Sequence, residues 1–494
     1  MAWRLIAPRR ASSLGAPPIA SPLGVLQMSQ AETAALSIDE LRATIDGEVV
    51  APDDAAYEEA RKVWNGLVDR RPAAVVRCAS TADVVAALAF ARANGLVVAV
   101  RCGAHSTPGY STCDDGVVID LRGLAGVTVD PDARTARVGG GAVWAELDAA
   151  TQEHGLAVTG GRVSDTGVGG LALGSGSGWL ERTYGVTCES LLSAEVVTAD
   201  GRVVTASAEE NPELLWGLRG GGGNFGVVTE FEFELHPVGP VITAGMLLYP
   251  RSEAVAVIHN YRDFIEAAPE QIGGGVAMIT APPEEFVPEQ MRGQPAIGVI
   301  YCYVGDPAEG EAAAAPLREF GSPAVDVIGP MPYTALQQML DGGNPHGIHE
   351  YFKVDALEAL SDEAIELAVA QAENLPAPFG QLILAPMGGA IGRRGGDDTA
   401  LSIVTAPWVY FCLAMWMDPS ENDRNRDWAR GFADAMKAFG VGTAYPNFIE
   451  PDEGVARLKA SFGPEKYARL VALKRQWDPD NVFCMNQNIS PNGD

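Results

Sequence analysis

No stretch of this sequence approaches the roughly 20 consecutive apolar residues that a membrane-crossing helix requires, so a helical membrane protein is not expected. Positive charge is scarce. Against 64 Asp and Glu there are 35 Lys and Arg in 494 residues, a net charge of -29. That field repels a phosphate backbone, which excludes nucleic acid as an expected partner. Cysteine is sparse and scattered, with seven residues and no CxxC pair. Neither a disulfide framework nor a metal centre is expected, and reduced thiols fit a cytoplasmic location. The GxxxxGK[ST] string of a P-loop does not occur. The dinucleotide fingerprint GxGxxG fails narrowly, because Gly174, Gly176 and Gly178 bring the third glycine one place early and Trp179 stands in its position.

What the sequence does have is clustered glycine. It contains 56 glycines, and three dense groups fall near 103–109, 160–178 and 220–226. Glycine admits positive φ and lets a ligand approach the main chain, and successive N–H groups in such turns make concave anion sites. Three such clusters in one half of the chain predict an extended, diphosphate-bearing ligand. With 47% hydrophobic and 20% charged residues, the composition is that of a globular protein, and the length predicts two or more domains.

The chain divides by texture. Residues 1–27 are basic, rich in Pro and Ala and free of acids, and read as a disordered extension or a misassigned start, with Met28 a plausible beginning. Ser37 to Ile45 predicts a short capped helix. AAVVRCAS predicts a strand, TADVVAALAFARANG a helix capped near Thr81 and stopped at Gly95, and LVVAVRCGAH a buried strand entering a glycine turn. GVVIDL and ARVGGGAVW predict further strands, VWAELDAATQEHG a helix, and SAEVVTADGRVVTAS a hairpin about Asp200-Gly201. After Pro237 the pattern shifts to strands such as AIGVIYCYVG and WVYFCLAMWMD, alternating with acidic helices such as SDEAIELAVAQAEN. This predicts a second domain on an antiparallel sheet.

Three strings together carry a resemblance. The loop Arg101-Cys-Gly103-Ala104-His105-Ser106-Thr-Pro-Gly109-Tyr110 resembles the R-x-G-x-H-x-x-x-G-x-S loop of the vanillyl-alcohol oxidase superfamily, in its berberine-bridge-enzyme-like branch. Leu215-Trp216-Gly-Leu-Arg219 with GGGGNFGVVTEF, and Tyr445-Pro446-Asn447 with DPDNVF and Asn486-Gln-Asn488, are similar to further signatures of that branch. The resemblance implies an α+β flavoprotein of two domains. An FAD domain over about 40–240, joined by a returning segment over 441–494, would adjoin a substrate domain over 241–440.

It further implies FAD linked covalently through His105, whose neutral imidazole would attack the flavin's 8-methyl carbon. Gly103 to Ser106, Gly109, Tyr110, Thr166, Gly169, Gly170, Gly174, Gly178, Gly226, Val228, Asn447, Asn486 and Asn488 are the expected cofactor contacts, with Arg101 opening the loop. Relatives place a second flavin-linking cysteine where this chain has Val163, so a single bond is expected. Ser177, where relatives often carry a large residue, would widen the cavity. Tyr351 and Lys353 are expected to line the substrate site, and Tyr445 is the candidate catalytic base or relay. Ile403 and Val404 stand where a His-Arg pair is common, so no base transfers there. The expected reaction takes a hydride from an alcohol or amine carbon of a small organic substrate and passes the electrons to dioxygen, forming hydrogen peroxide; the alternatives are a flavin-dependent dehydrogenase with poor oxygen reactivity and a catalytically silent flavin- or ligand-binding protein. Trp408, Tyr410 and Trp416 would favour an aromatic substrate, and the protein is expected as a monomer or homodimer.

Overall fold

The computed structural model describes residues 37–376, 378–391, 393, 397–401 and 406–494. The readings of 1–27 and of Ile403 and Val404 lie outside the described residues. The first sheet contains β1 (Glu48–Val50), β2 (Ala74–Arg77), β3 (Val98–Arg101) and β4 (Val117–Asp120), in the order β1-β2-β4-β3. β4 runs parallel to both β2 and β3. Their nearly unbroken Val and Ile runs are the pattern of strands covered on both faces. The helix Thr81–Ala93 covers one side. Its cap is Ser80, one residue before the expected position, because the Ser80 side chain accepts from the Asp83 N–H. Gly95, at φ +63°, lies just past its end.

A second sheet follows, with β5 (Val127–Asp130), β6 (Thr135–Gly139), β8 (Leu191–Val197), β9 (Val203–Ala206) and β10 (Val227–Glu234) in the order β5-β6-β10-β8-β9; the two-residue β7 (Leu156–Ala157) pairs with β11 (His236–Pro237). The expected hairpin is β8-β9, turning through Gly201 at φ +82°.

The third sheet is antiparallel throughout and has eight strands: β12 (Val241–Pro250), β13 (Ile272–Thr280), β14 (Pro295–Tyr303), β15 (Val325–Asp326), β16 (Gly329–Pro332), β17 (His349–Leu357), β18 (Gln381–Pro386) and β19 (Trp408–Trp416). Its central order is β12-β14-β13-β18-β19-β17. Side chains alternate cleanly between faces, as pleating requires. Val276, Met278, Val299, Tyr301, Leu384, Trp408, Tyr410 and Trp416 pack in one core with residues of helices Ala254–Ala267, Asp362–Gln371 and Asn422–Met436. Each large side chain so buried contributes roughly 1.5–3 kcal/mol. Trp408, Tyr410 and Trp416 are therefore core residues, and the expectation that they favour an aromatic substrate loses its basis. The opposite face presents Gly275, Ala277, Gly298, Ile383, Ala385, Phe411 and Phe352 to a large cavity.

Candidate functional site

That cavity measures about 1090 Å³ and reaches from the third sheet to the glycine clusters of the first two. Its far wall is built by the turn after β3. Arg101 lies wholly buried beneath that turn, donating to the Ser111 and Ala60 carbonyls and standing 3.7 Å from Asp120. Burial pushes the Arg101 guanidinium down to about 10. Arg101 thus staples the loop from behind and does not line the cavity. Arg70 holds the loop's other end through the carbonyls of Gly109 and Thr112.

Between these staples, Ala104 adopts φ +62°, turning the loop so that Gly103 to Ser106 all face the cavity. Gly103 packs on Gly167 so closely that a Cβ there would sit 2.2 Å from the Gly167 nitrogen. The N–H groups of Gly169, Gly103 and Gly170 converge on the Cys102 thiol, which burial nevertheless pushes up to about 11. Among the described residues, the N–H groups of Ala104, His105 and Ser106 donate to no main-chain carbonyl.

The returning segment closes this wall. Asn447 lines the cavity and donates to the Leu171 carbonyl at 3.2 Å, and a Cβ on Gly174 would collide with the Asn447 Oδ1. Asn486 also lines the cavity and donates to Gly223 at 3.0 Å. Behind them Lys474, fully buried, donates to the carbonyls of Asn224 and Phe483 and pairs with Asp478 at 2.7 Å. Free N–H groups, clustered glycines and unpartnered acceptors such as the Asn486 Oδ1 suit an elongated, polar, phosphate-bearing ligand.

The cavity thus gathers Gly103, Ala104, His105, Ser106, Tyr110, Thr166, Gly169, Gly170, Gly174, Ser177, Gly226, Val228, Asn447 and Asn486. Val163 lines it too, presenting a side chain with no nucleophile. Gly109 and Gly178 serve the packing instead. A Cβ on Gly178 would lie 2.0 Å from the Gly160 carbonyl oxygen, and one on Gly109 would lie 2.6 Å from Val68. Asn488 does not line the cavity, and its Oδ1 is buried without a partner.

Tyr445, Tyr351 and Lys353 also lie off the cavity. Tyr445 is buried in the core, with its hydroxyl nearest the Met387 sulfur at 4.0 Å, and burial drives its ionisation far above the ordinary value. The phenol does not line the cavity, so its placement lends no support to the expected role as base or relay. Tyr351 and Lys353 point from β17 away from the cavity, towards Asp452: the Tyr351 hydroxyl donates to it at 2.6 Å and the Lys353 ammonium at 2.9 Å, with Arg430 closing the group. Pleating explains the error, since their neighbours Glu350 and Phe352 occupy the cavity face.

Glu350 is the residue that the sequence reading missed. Asn65 grips its main chain, accepting from the Glu350 N–H at 3.0 Å and donating to its carbonyl at 2.9 Å. The Glu350 Oε2 accepts from the Thr107 hydroxyl at 2.7 Å. With the residue only 8% exposed, burial pushes its carboxyl up to about 7. The signal was the alternation within HEYFKVDAL, which sets an acid on the face opposite Tyr351.

His105 stacks on Trp64 with ring centroids 5.0 Å apart. Its Nε2 lies 2.8 Å from the Asp165 Oδ1, close but not aligned as a hydrogen bond, and the Asp165 Oδ2 meets the His346 Nε2 at 2.6 Å. Burial opposes ionisation of Asp165, but the close contact with His105 and the hydrogen bond from His346, with the charge that each histidine brings, outweigh it and hold the carboxyl down at about 2.

Comparison with known proteins agrees with this architecture. Residues 72–207 match an FAD binding domain, and residues 444–490 match the family described as berberine and berberine like. The chain is 31% identical to (R)-6-hydroxynicotine oxidase of Paenarthrobacter nicotinovorans, over 91% of this chain and 98% of that protein. The crystal structure of 6-hydroxy-D-nicotine oxidase from Arthrobacter nicotinovorans superposes with a TM-score of 0.81 at 28% identity, covering 90% of this chain and 98% of that one. Glucooligosaccharide oxidase from Acremonium strictum, whose structure concerns a 6-S-cysteinyl, 8α-N1-histidyl FAD, shares the fold with a TM-score of 0.80 at 22% identity, over 92% and 99% of the two chains. A two-domain α+β fold wrapped around a flavin-sized cavity defines the class as an FAD-dependent oxidoreductase. The chain belongs to the berberine-bridge-enzyme-like FAD-linked oxidases of the vanillyl-alcohol oxidase superfamily.

Proposed function

We propose that this enzyme binds FAD along the glycine wall, attached through His105 alone, and oxidises an alcohol or amine carbon of a small organic substrate with dioxygen as the final acceptor. Bound FAD supplies the hydride acceptor. The chain supplies the rest. The loop from Gly103 to Ser106 offers N–H groups to the diphosphate, and Asn447 and Asn486 hold the wall from the returning segment. Val163 gives no thioether, and Cys188 is buried away from the cavity, which supports a single attachment. The apolar sheet face excludes water and orients the substrate. Glu350 accepts the hydroxyl or amine proton as the substrate's C–H bond breaks.

The observation that carries this reading is the Glu350 carboxyl, raised to about 7 by burial and facing the cavity. A base poised near neutral pH is what proton abstraction at that pH demands. Hydrogen peroxide leaves as the second product, and Thr166, facing the same cavity, stands where relatives control access of oxygen to the flavin. The mass of the denatured chain tests the attachment: a flavin adduct present in the wild type and absent in His105→Ala is expected, and an adduct that persists in the variant overturns it. Stopped-flow reoxidation tests the acceptor, and a slow reaction of reduced enzyme with dioxygen would make it a dehydrogenase.

A further inference from the structure

His105, Asp165 and His346 form a line of three side chains that the proposed hydride and proton transfers do not use. They come from separate parts of the chain: the loop after β3, the turn before helix Val168–Gly174 and the segment before β17. One ligand atom from each lies within 4.8 Å of the others. The three residues are graded in exposure, with side chains 13%, 43% and 65% exposed from His105 to His346.

An imidazole attacks carbon through a nitrogen that carries no proton, so its tautomer decides which nitrogen reacts. A carboxylate beside Nε2 favours the tautomer with the proton there and leaves the lone pair on Nδ1. We infer that Asp165, braced by His346, is the positioning residue that fixes the His105 tautomer for attachment to the flavin. This rests on the covalent attachment proposed above. Trp64, stacked on the His105 ring, restricts its rotation and keeps Nε2 beside Asp165 at 2.8 Å.

The bonding step balances as follows. A C–H bond of the flavin's 8-methyl group breaks and a bond from the unprotonated imidazole nitrogen to that carbon forms. The methyl proton leaves to solvent, and the electron pair stays on the flavin, which is left reduced. Dioxygen then takes two electrons and two protons to give hydrogen peroxide and the oxidised, attached cofactor. The positive charge that alkylation places on the imidazole is held by the Asp165 carboxylate. His346 keeps that carboxylate ionised and aimed, as a second histidine donor does in other carboxylate–imidazole pairs.

The test follows covalent incorporation into flavin-free protein, prepared as the full chain and mixed with FAD. Native gel filtration reads binding, and the mass of the denatured chain reads attachment. Asp165→Asn and His346→Ala are expected to bind FAD natively but to attach it at least about tenfold more slowly. Asp165→Glu is expected to recover part of the rate, as is added imidazole with His346→Ala. His346 is mostly exposed, so its removal leaves the fold intact and keeps the comparison readable. Attachment at the wild-type rate in both Asp165→Asn and His346→Ala overturns this inference alone. Absence of any adduct in the wild type, or an adduct that survives His105→Ala, overturns it together with the attachment on which it rests.

Discussion

Thr107 and Glu350 meet across the junction between the loop after β3 and the third sheet, the Thr107 hydroxyl donating to the Glu350 Oε2 at 2.7 Å. One partner comes from the glycine-rich wall and the other from the opposite wall, so the contact fixes the carboxylate relative to both. A proton acceptor held in this way should dominate the pH dependence of the reaction. Its carboxyl is raised to about 7, and in the proposed role the ionised form is the active one. The substrate-reduction rate should therefore rise with pH through that value and level off above it. Glu350→Gln should lower the rate by about 10²–10⁴, abolish that limb and leave the bound flavin unchanged. Tyr445→Phe, by contrast, should leave rate and pH profile intact. A rate loss in Tyr445→Phe matching that of Glu350→Gln would return the phenol to the mechanism.

Gly298 leaves open space over the cavity. Its φ lies outside the left-handed region, and a Cβ there would meet only the Ile279 and Leu248 methyls, at 3.8 and 3.9 Å. No backbone constraint requires glycine at this position, so the missing side chain serves cavity volume. Gly298→Leu should fold normally and retain its flavin spectrum while raising KM for bulky substrates by about tenfold or more, the effect of a few lost contacts at roughly 1–3 kcal/mol. An unchanged KM across a size series would remove Gly298 from the substrate wall.

Lys474 and Asp478 are both fully buried and 2.7 Å apart, and the ammonium also holds the carbonyls of Asn224 and Phe483. Lys474→Met removes the counter-charge of a buried carboxylate and leaves it only the N–H groups of Val482 and Phe483, an event that costs about 3–5 kcal/mol. Thermal unfolding should move sharply downward and native FAD retention should fall with it. The pair change Lys474→Met with Asp478→Leu should restore part of the stability.

Asp148 is buried against Gln337, whose side chain donates to it at 2.9 Å, and burial lifts its carboxyl to about 7. The folded state keeps a proton that the unfolded chain releases near pH 4. Stability from this group is therefore full below pH 4 and is lost as pH rises towards about 7, at up to about 1.4 kcal/mol per pH unit. Asp148→Asn keeps the acceptor and carries no proton to lose. Measured by chemical denaturation, it should gain on the wild type between pH 4 and pH 7 and hold a constant advantage above. A parallel pair of curves would show that Asp148 does not titrate in the folded state.

The glycine clusters, the helix Thr81–Ala93 and the parallel strands were legible because each rests on local chemistry: backbone freedom, capping and continuous apolar runs. His105 and Asn447, named from the resemblance, both line the cavity, because the strings that carry them set main-chain geometry. What failed was orientation at single-residue resolution. Tyr351 and Lys353 sit one position out of phase with the cavity, and a pleat gives no local sign of which face the ligand will take. Tyr445 failed for a related reason: its neighbours Pro446 and Asn447 turn into the cavity while its own ring is drawn into the core. Asp165 and His346 were invisible as partners of His105 because only the closed chain brings them together.

The cavity wall opposite the third sheet is finished by Asn447 and Asn486 and locked by Lys474, which follow the His105 loop by more than 300 residues. During synthesis, then, the glycine loops leave the ribosome long before the residues that complete their cradle. On the proposed binding mode the ordering sets a schedule: the early sheets can assemble as they emerge, but cofactor loading waits for the last helix and the segment after it, so a chain stalled before them should stay colourless however well its first half had folded.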